Sequence, residues 1–382
     1  MRLFVVAGEP SGDFLAARLM TALRQQLGGG VEFSGVGGEN MAAQGLESLF
    51  PIADLAVMGL VEVLPRLPLI LKRLDQTMAA IERFQPHGVI TIDSWGFTGR
   101  VARALKQKGS TIPRIHYVAP MVWAWKEGRA KAVAERVDRL LTLFSHELPY
   151  FQRYGLDTVC VGHPVIESGA DLGNADAFRQ RHGFADNVPL LAVLPGSRSG
   201  EIKRLLPVFE QAVRRIRNVY PDLVVLVPTV DTVADAVSAA VARWDVPSLV
   251  LRGPEEKYDA FAASRAALAA SGTVALELAL AGLPHVVAYK LNPITIMAAR
   301  RLFKVPYINL SNLLLEKRAV PELIQEDCTP ERLSAEVLAL MEEGRARSHM
   351  KMDLEEAMLR LGLGGESPSA RAAKAVLEVV RS

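Results

Sequence analysis

The sequence has little cysteine, little net charge and no histidine cluster. Its 382 residues include two cysteines, Cys160 and Cys328, whose wide separation predicts thiols in a reducing compartment rather than a disulfide framework. The net charge of +2 lacks the basic excess that general nucleic-acid binding requires, so we expect no nucleic-acid partner. The seven histidines show no metal-ligand spacing. We expect neither a bound metal nor another cofactor.

The sequence also lacks a long apolar segment. No stretch reaches the roughly 18 to 20 apolar residues of a membrane-spanning helix. The N-terminal sequence MRLFVVAGEPSGD has an apolar run of only about five residues before Glu9 and Asp13, whereas a secretion signal needs roughly 7 to 15. The N-terminus is therefore predicted to form a buried first strand. We expect a cytoplasmic protein that is either soluble or peripheral on a membrane.

Strand-like and helix-like segments alternate along the whole chain, and 50% of the residues are hydrophobic. This alternation predicts an α/β architecture of parallel sheets wrapped by helices. The chain is too long for one ordinary core, and the polar segment 165–177 predicts a hinge. We therefore predict two facing Rossmann-like, doubly wound domains with a cleft between them, residues 1–168 and 169–344. The C-terminal helices, about 345–382, are expected to pack back on the first domain or on a partner subunit.

The segment LAVLPGSRSGEI, Leu191–Ile202, has the pattern of a strand, a turn of small residues and the start of a helix. A hydrolase nucleophile turn requires G-x-S-x-G, but Arg198 occupies the central position. A phosphate-binding P-loop requires a lysine after its last glycine, and none follows Gly200. Two interpretations remain. Ser197–Glu201 forms either an anion site, with free helix-start N–H groups and Arg198 as donors, or a plain connection with Arg198 in water.

A second turn, in AASGTVALE, also leads from a strand into a helix. Ser271, Gly272 and Thr273 supply a hydroxyl, an open backbone and a capping hydroxyl at the helix start. Glu277 follows about one turn later, where its carboxylate could accept hydrogen bonds from ribose hydroxyls. Such a turn alone is usually only a helix cap. Because both turns lie in the second half of the chain, together they predict a site for a diphosphate that carries a sugar.

The first half of the chain has acidic rather than basic turns. GEPSGD is its first strand-to-helix turn, and its carboxylates would repel phosphate, so Glu9, Ser11 and Gly12 suit a hydroxyl-rich partner. The alternative is a structural turn in which Ser11 or Asp13 caps the helix that follows. Asp93 ends the buried strand GVITID, where a carboxylate can act as the general base for an alcohol. Its alternative role is to cap the helix that follows.

Several segments together resemble the lipid-A-disaccharide synthases, a family of two-Rossmann-domain (GT-B) glycosyltransferases, over nearly the whole chain. The matching segments are AGEPSGD, AVMGLVEVL, IHYVAPMVWAW, GHP, LPGSRSGEI, ASGTVALE and NLLLEKRAVPELIQ. The resemblance implies inverting transfer from UDP-2,3-diacylglucosamine to 2,3-diacylglucosamine 1-phosphate, giving the β-1,6-linked lipid A precursor and UDP. It also implies a role in Gram-negative outer-membrane biogenesis, a location on the inner leaflet of the cytoplasmic membrane, and a possible homodimer.

The resemblance also implies roles for individual residues. Asp93 matches the family's proposed base, and Glu9 matches a cleft residue in the first turn. The positions linked to the donor or to activity are matched by Arg198, Glu201, Glu277 and Asn312. The chain departs from the family pattern I-D-x-P-D-F-N, because its sequence is IDSWGFT, with Gly96 and Thr98 in place of the second aspartate and the asparagine. A role for that second carboxylate is therefore not carried over.

The segment LAVMGLVEVLPRLPLILKRLDQ, residues 55–76, is dense in apolar side chains and has basic residues in its later part. It is too short and too charged to span a bilayer. It is either a buried helix pair or an amphipathic surface that enters the membrane interface. The resemblance to enzymes that act on acylated sugars favours the second interpretation. The residues expected to face the membrane are Val57, Met58, Leu60, Val61, Leu64, Arg66, Leu67, Leu69, Ile70, Leu71, Lys72 and Arg73.

Two aromatic residues and one histidine have competing interpretations. Trp123 and Trp125 line a sugar or acyl pocket, anchor at a membrane interface or pack in the interior. His163 is expected to be a turn residue rather than a ligand contact. Two other classes of function also stay open. A UDP-sugar epimerase of similar fold would need no acceptor and no lipid contact. A non-catalytic lipid or sugar carrier would bind its ligand and release no UDP.

Overall fold

The chain forms two compact units. A computed structural model describes residues 1–55, 60–122, 128–253, 255–290 and 307–381, and the described side chains exclude those of 60–65. The first unit comprises Met1–Pro164 and Gly365–Ser382, and the second comprises Val165–Gly364. The chain therefore passes between the units after Pro164 and after Gly364, rather than after residues 168 and 344 as predicted.

Six parallel strands form the sheet of the first unit, in the spatial order β2-β1-β3-β4-β5-β6. The strands are β1 (Arg2–Ala7), β2 (Glu32–Val36), β3 (Gly88–Ile92), β4 (Arg114–Tyr117), β5 (Arg139–Thr142) and β6 (Asp157–Cys160). The helices described between them are α1 (Pro10–Gln26), α2 (Glu39–Ala43), α3 (Leu60–Phe84), α4 (Trp95–Gln107), α5 (Gly128–Ala134) and α6 (Leu148–Gln152). The strand order changes direction between β1 and β3, and ligands of open α/β sheets bind at such a point.

The second unit has its own sheet of six parallel strands, in the order β12-β11-β10-β7-β8-β9. The strands are β7 (Leu190–Leu194), β8 (Val224–Thr229), β9 (Ser248–Arg252), β10 (Ala266–Ala270), β11 (His285–Tyr289) and β12 (Glu322–Ile324). The described helices, continuing to the end of the chain, are α7 (Ala175–His182), α8 (Ser199–Arg217), α9 (Ala234–Val241), α10 (Lys257–Ala263), α11 (Val274–Leu280), α12 (Leu310–Leu315), α13 (Pro330–Met341), α14 (Arg345–Leu361) and α15 (Pro368–Val380). The order reverses between β7 and β10. The predicted α/β class with two parallel, doubly wound sheets is confirmed.

Apolar clusters cover both faces of the first sheet. Leu3 and Val5 of β1 belong to a cluster with α1 and α15, whereas Phe4 and Val6 belong to a cluster with α3 and α4. Successive side chains of a strand point to opposite faces, so a strand covered on both faces has a continuous apolar sequence. RLFVVA and GVITI are such sequences. Burial on both faces fixes β1 and β3 and places the turns that follow them at one edge of the sheet.

The C-terminal helices divide between the two units, which corrects the prediction that residues 345–382 return together. α14 stays with the second unit, where Lys317 Nζ lies 2.8 Å from Asp353 Oδ1. α15 returns to the first unit and packs on α1, and the Gln26 side-chain amide donates a hydrogen bond to the Ala370 carbonyl at 2.9 Å. The glycine-rich break between the two helices lets each one bury its apolar face on a different unit.

Candidate functional site

A cavity of about 550 Å³ lies in the second unit, beside the point where the strand order reverses between β7 and β10. It is bordered by the carboxyl ends of the strands, where open α/β sheets bind ligands. Its volume is in the range of small-molecule sites. The predicted donor-binding residues that border it are Ser197, Arg198, Glu201, Ser271, Gly272, Thr273 and Glu277. Both turns identified in the sequence therefore border the same cavity.

The turn between β7 and α8 is held in shape by Glu201. Gly196 has a φ of +112°, and a Cβ atom there would lie 2.5 Å from the Glu201 carboxylate, so the position requires glycine. That carboxylate accepts a hydrogen bond from the Ser197 N–H at 3.2 Å and lies 3.7 Å from the Arg198 guanidinium. The Arg198 side chain is 65% exposed, and α8 begins at the next residue. Because a helix start carries free N–H groups and a positive dipole end, this turn can bind an anion.

The turn between β10 and α11 leaves polar groups open to the cavity. Among the described residues, no heavy atom lies within 4 Å of the place that a Cβ on Gly272 would occupy. Thr273 is the N-cap of α11, but its side chain makes no capping hydrogen bond, which corrects the expected capping role. Its φ of −61° and ψ of −25° are helical, whereas a capping residue is extended. The exposed Thr273 hydroxyl is therefore available to a ligand.

Glu277 borders the cavity from the first turn of α11 and is already paired. Lys257 Nζ lies 2.5 Å from one carboxylate oxygen, and the Tyr258 hydroxyl donates a hydrogen bond to the other at 3.3 Å. Each carboxylate oxygen has a second lone pair, so Glu277 can still accept from a ribose hydroxyl. Lys257 also borders the cavity and was not predicted, because it belongs to no phosphate motif. Its place shortly after β9, at the same edge of the sheet, is the signal that could have identified it.

In the first unit, Asp93 lies at the corresponding edge, where β3 ends beside β1. Its carboxylate accepts a hydrogen bond from the Ser94 N–H at 2.7 Å and lies 3.4 Å from the Ser11 hydroxyl. Asp93 and Ser94 have φ values of +53° and +43°, and Val118 at the end of β4 has a φ of +76°. Positive φ strains non-glycine residues, β-branched ones most, and such strain concentrates at functional sites. Because Ser94 is the N-cap of α4, Asp93 remains a candidate base rather than a cap.

Two glycines let the turns around Asp93 approach each other. A Cβ on Gly8 would lie 2.5 Å from Ser94 Cβ, and a Cβ on Gly12 would lie 3.3 Å from a carbonyl of β3. Gly12 is buried in α1, whereas Ser11 is exposed beside the Asp93 carboxylate. Of these predicted acceptor-side residues, Ser11 therefore contacts the candidate base. Gly12 has no side chain, and this lets α1 lie close to β3.

The two carboxylates of the GEPSGD turn have different roles. Asp13 is 3% exposed, and its oxygens accept hydrogen bonds from the N–H groups of Gly38, Asn40 and Met41 at 2.7, 2.9 and 3.1 Å. Asp13 therefore has a structural role, but it caps α2 and not α1, the helix that follows its own turn. Glu9 is half-buried at the N-cap of α1 and stays a candidate acceptor contact.

The two departures from the family pattern follow Asp93. The Thr98 hydroxyl is buried and donates to the carbonyl groups of Asp93 and Ser94 at 2.7 and 3.1 Å. Gly96 is exposed, and no described atom lies within 4 Å of its missing Cβ. Thr98 therefore stabilises the strained turn, and position 96 faces solvent.

Asn312, which was predicted at the donor, is not among the described residues that border the cavity. Its side chain is fully buried. The amide nitrogen donates to the Val320 carbonyl at 2.8 Å and to the Glu322 carboxylate at 2.6 Å, and the amide oxygen accepts from the Val320 N–H at 2.8 Å. These bonds join α12 to Val320 and to Glu322, the first residue of β12. Asn312 therefore has a structural role in the second unit, and its role at the donor stays a prediction.

From Leu60 onward, the segment expected to face the membrane forms the N-terminal part of α3, which continues through Pro65 and Pro68. Arg66, Leu71 and Lys72 are exposed. Val57 and Met58 lie outside the described residues, as do the side chains of Leu60, Val61 and Leu64. Leu67 and Leu69 are half-buried.

Two members of that segment are directed inward, so the prediction that they face the membrane is wrong. Ile70 is 8% exposed and belongs to the apolar cluster on the α3 face of the first sheet. The Arg73 guanidinium donates to the Asp54 carboxylate, with Nε at 2.8 Å, and lies 4.8 Å from the centre of the Phe50 ring. An amphipathic helix buries the side of its surface that faces the sheet, and these two residues lie there.

Of the remaining sequence candidates, only His163 lies among the described residues. Trp123 and Trp125 lie outside the described residues. His163, after β6, is 7% exposed, and burial lowers the pKa of its imidazole to about 4. Its ring centre lies 5.5 Å from that of Phe144, so it packs in the interior. Within the described parts of the chain, no helix combines the length and the apolar character needed to cross a bilayer.

Comparison with known proteins identifies the family. The lipid-A-disaccharide synthetase family profile matches residues 3–377. The lipid-A-disaccharide synthase of Paramagnetospirillum magneticum is 54% identical over 383 residues, which cover 100% of this chain and 98% of that protein.

Two solved structures share the fold. The UDP-GlcNAc 2-epimerase of Neisseria meningitidis bound to UDP-GlcNAc has a TM-score of 0.64 at 13% identity, with 100% of both chains covered. MurG of Acinetobacter baumannii has a TM-score of 0.55 at 17% identity, with 100% of this chain and 99% of that chain covered. Such low identities support a common fold alone, whereas the family match extends over almost the whole sequence. The chain belongs to the lipid-A-disaccharide synthetase family of glycosyltransferases.

Proposed function

We propose that the chain is an inverting glycosyltransferase that joins UDP-2,3-diacylglucosamine to 2,3-diacylglucosamine 1-phosphate, giving a β-1,6-linked disaccharide and UDP. One observation carries this proposal: the two turns with phosphate-binding character border the same cavity of the second unit. The chain that forms this cavity belongs to the lipid-A-disaccharide synthetase family. The Neisseria meningitidis epimerase of similar fold was solved with UDP-GlcNAc, which supports a UDP-sugar as the class of donor.

The diphosphate of the donor would bind between Ser197–Glu201 and Ser271–Thr273. The N–H groups at the start of α8 and the Arg198 guanidinium are suited to phosphate oxygens. Glu277 accepts hydrogen bonds from the ribose. When the bond between the sugar C1 and the diphosphate breaks, its electron pair passes to the phosphate oxygen. Donors that are already in place stabilise this developing charge, because they need no reorganisation during the reaction.

Asp93 acts on the acceptor. Its carboxylate, held by the Ser94 N–H and beside the Ser11 hydroxyl, takes the proton of the 6-hydroxyl. The acceptor oxygen then forms its bond to C1 on the face opposite the leaving UDP, which inverts the configuration. General base catalysis of this kind contributes about 10²- to 10⁴-fold to the rate. Glu9 and Ser11 border the acceptor sugar in this proposal.

The acylated substrates reside in a membrane, so the enzyme requires a surface that reaches the inner leaflet. Arg66, Leu71 and Lys72 of α3 are exposed, and these basic and apolar side chains are the candidates for contact with the leaflet. Basic residues near an anionic leaflet each contribute about 1 kcal/mol to binding. Sedimentation with anionic vesicles should therefore fall for an Arg66→Ser, Lys72→Ser variant, and unchanged sedimentation would argue against this surface.

One assay separates the proposal from its alternatives. The full chain is incubated with UDP-2,3-diacylglucosamine in mild detergent, with and without 2,3-diacylglucosamine 1-phosphate, and UDP is measured. The proposal requires UDP release that depends on the acceptor. Donor conversion without the acceptor would indicate an epimerase, and donor binding without UDP release under any condition would indicate a carrier. An Arg198→Ala variant tests the donor site in the same assay, because it should raise the donor concentration needed for half-maximal rate.

A further inference from the structure

The charged side chains around the cavity of the second unit carry a negative balance. Among the described residues, the carboxylates of Glu201, Asp231 and Glu277 border it, against the cations Arg198 and Lys257. Arg198 lies 3.7 Å from Glu201, and Lys257 lies 2.5 Å from Glu277. Both cations are therefore paired with carboxylates before a ligand binds. A nucleoside diphosphate adds further negative charge, so it needs a cation that can leave its carboxylate.

Lys257 is held at the wall of the cavity by aromatic side chains. It is the first residue of α10, and its side chain is 24% exposed. Nζ lies 5.3 Å from the centre of the Tyr258 ring and 5.9 Å from that of Phe261. Aromatic faces attract an ammonium group, and the lysine stem can pack while its terminal bonds rotate. The aromatic rings therefore contribute, beside Glu277, to keeping the ammonium at the cavity.

We propose that Lys257 is a second phosphate-binding cation of the donor site, which is paired with Glu277 in this structure and which the diphosphate takes over on binding. This inference rests on the proposed function, because it requires the donor to occupy this cavity. The transfer of the ammonium frees the Oε2 atom of Glu277, which then accepts a hydrogen bond from the ribose. One movement thus prepares the phosphate subsite and the ribose subsite together.

The chemical role of Lys257 is electrostatic. The ammonium keeps its three protons throughout the reaction and transfers none of them. As the bond between C1 and the diphosphate oxygen breaks and its electron pair moves to that oxygen, the ammonium offsets the added negative charge. The proton of the acceptor hydroxyl goes to Asp93, as in the proposed function.

A purely structural role for Lys257 makes a different prediction. If the lysine only orients Glu277, its loss would impair the ribose subsite, and ligands with and without phosphate would suffer alike. If the lysine binds phosphate, its loss would weaken ligands that carry phosphate and leave the free nucleoside nearly unaffected. Uridine and UDP are therefore the two probes that separate these roles.

The experiment is calorimetric titration of the full chain with uridine and with UDP. Lys257→Met removes the charge and keeps an unbranched apolar stem, and Lys257→Arg keeps the charge. Lys257→Met should raise the Kd of UDP about tenfold or more, as loss of one charge-assisted hydrogen bond does, and change the Kd of uridine less than about threefold. Lys257→Arg should restore most of the UDP affinity. The salt dependence of UDP binding should also decrease in Lys257→Met, because one ionic contact is lost.

Tyr258→Phe is the matched control. It removes the hydroxyl that contacts Glu277 and keeps the ring beside Lys257, so it should weaken uridine and UDP by the same factor. Equal losses of uridine and UDP in Lys257→Met would overturn the inference and leave the proposed function intact. A wild-type chain that binds no UDP would instead overturn the donor site itself. UDP affinity that stays at the wild-type value in Lys257→Met would also overturn the role of Lys257.

Discussion

Replacing Gly8 by alanine would force apart the two turns that position Asp93. The added Cβ would lie 2.5 Å from Ser94 Cβ and 2.7 Å from Ser94 Oγ. A Cβ atom cannot rotate away, because the backbone fixes its direction, so one of the turns must shift. The Ser94 N–H donates to the Asp93 carboxylate at 2.7 Å, and a shift of Ser94 therefore displaces the proposed base.

The expected cost of Gly8→Ala is that of overpacking a close contact, about 1–3 kcal/mol of unfolding free energy. The same geometry offers a rescue in Ser94→Gly, which removes both atoms that the new Cβ would meet. Ser94 has a φ of +43°, which glycine adopts without strain, and its Oγ is buried with no hydrogen-bond partner in the described structure. Ser94→Gly alone should therefore be neutral or stabilising by about 1 kcal/mol. The double variant should recover most of the loss.

Urea denaturation of the wild type, the two single variants and the double variant measures this coupling. Turnover should follow, with kcat of Gly8→Ala reduced at least about tenfold, because small displacements of reacting groups have large kinetic effects. The Kd of UDP should stay at the wild-type value, since the donor cavity belongs to the other unit. A coupling energy below about 0.5 kcal/mol between the two substitutions, or a normal kcat in Gly8→Ala, would refute the reasoning.

Three further predictions follow from the same structure. Asp93→Asn should lower kcat by about 10²- to 10⁴-fold and leave the Kd of UDP within about twofold, measured by initial rates and calorimetry; an equal loss of both would contradict a base that acts on the acceptor. Asn312→Ala should lower the free energy of unfolding by about 2–4 kcal/mol, because it removes three side-chain hydrogen bonds and leaves the buried N–H and carbonyl groups of Val320 unsatisfied. Urea denaturation with UDP titration checks this, and weaker UDP binding at unchanged stability would support a donor role. Burial lowers the pKa of His116 to about 3 and the pKa values of His163 and His285 to about 4. In the unfolded chain these histidines have a pKa near 6.5, so between pH 6.5 and pH 5 the unfolded chain binds protons at these sites and the folded chain does not. Each histidine should thus remove about 2 kcal/mol of stability between pH 7 and pH 5, and an unchanged urea midpoint over that interval would contradict this.

The two turns of the donor cavity could be predicted from sequence because each is a local feature. A strand, a turn of small residues and a helix start are contiguous in the chain, and the carboxyl ends of parallel strands meet at one edge of a sheet. Ser197–Glu201 and Ser271–Thr273 therefore reach the same cavity once both strands join the sheet. The strain at Asp93 and Ser94 has no such local signal, because non-glycine residues adopt positive φ only where surrounding contacts enforce it.

The sequence was least informative about residues whose role depends on distant partners. Asn312 was assigned to the donor by resemblance, and nothing in the sequence indicated that its amide is bonded to Val320 and Glu322. Ile70 and Arg73 belong to a segment with a membrane-like composition, yet both are directed inward, since a helix buries whichever side meets the sheet. Such pairings follow from packing geometry, which composition does not contain.

The sequence by itself determined the α/β class, the two parallel sheets and the two polar turns of the donor cavity, because apolar strands, turn residues and helix starts are encoded within short segments. Only the tertiary structure decided that Lys257 reaches Glu277, that Asp13 caps α2, and that the two last helices separate between the units. Each of these depends on which distant residues come to lie together. Close packing selects those partners, and no local pattern specifies them.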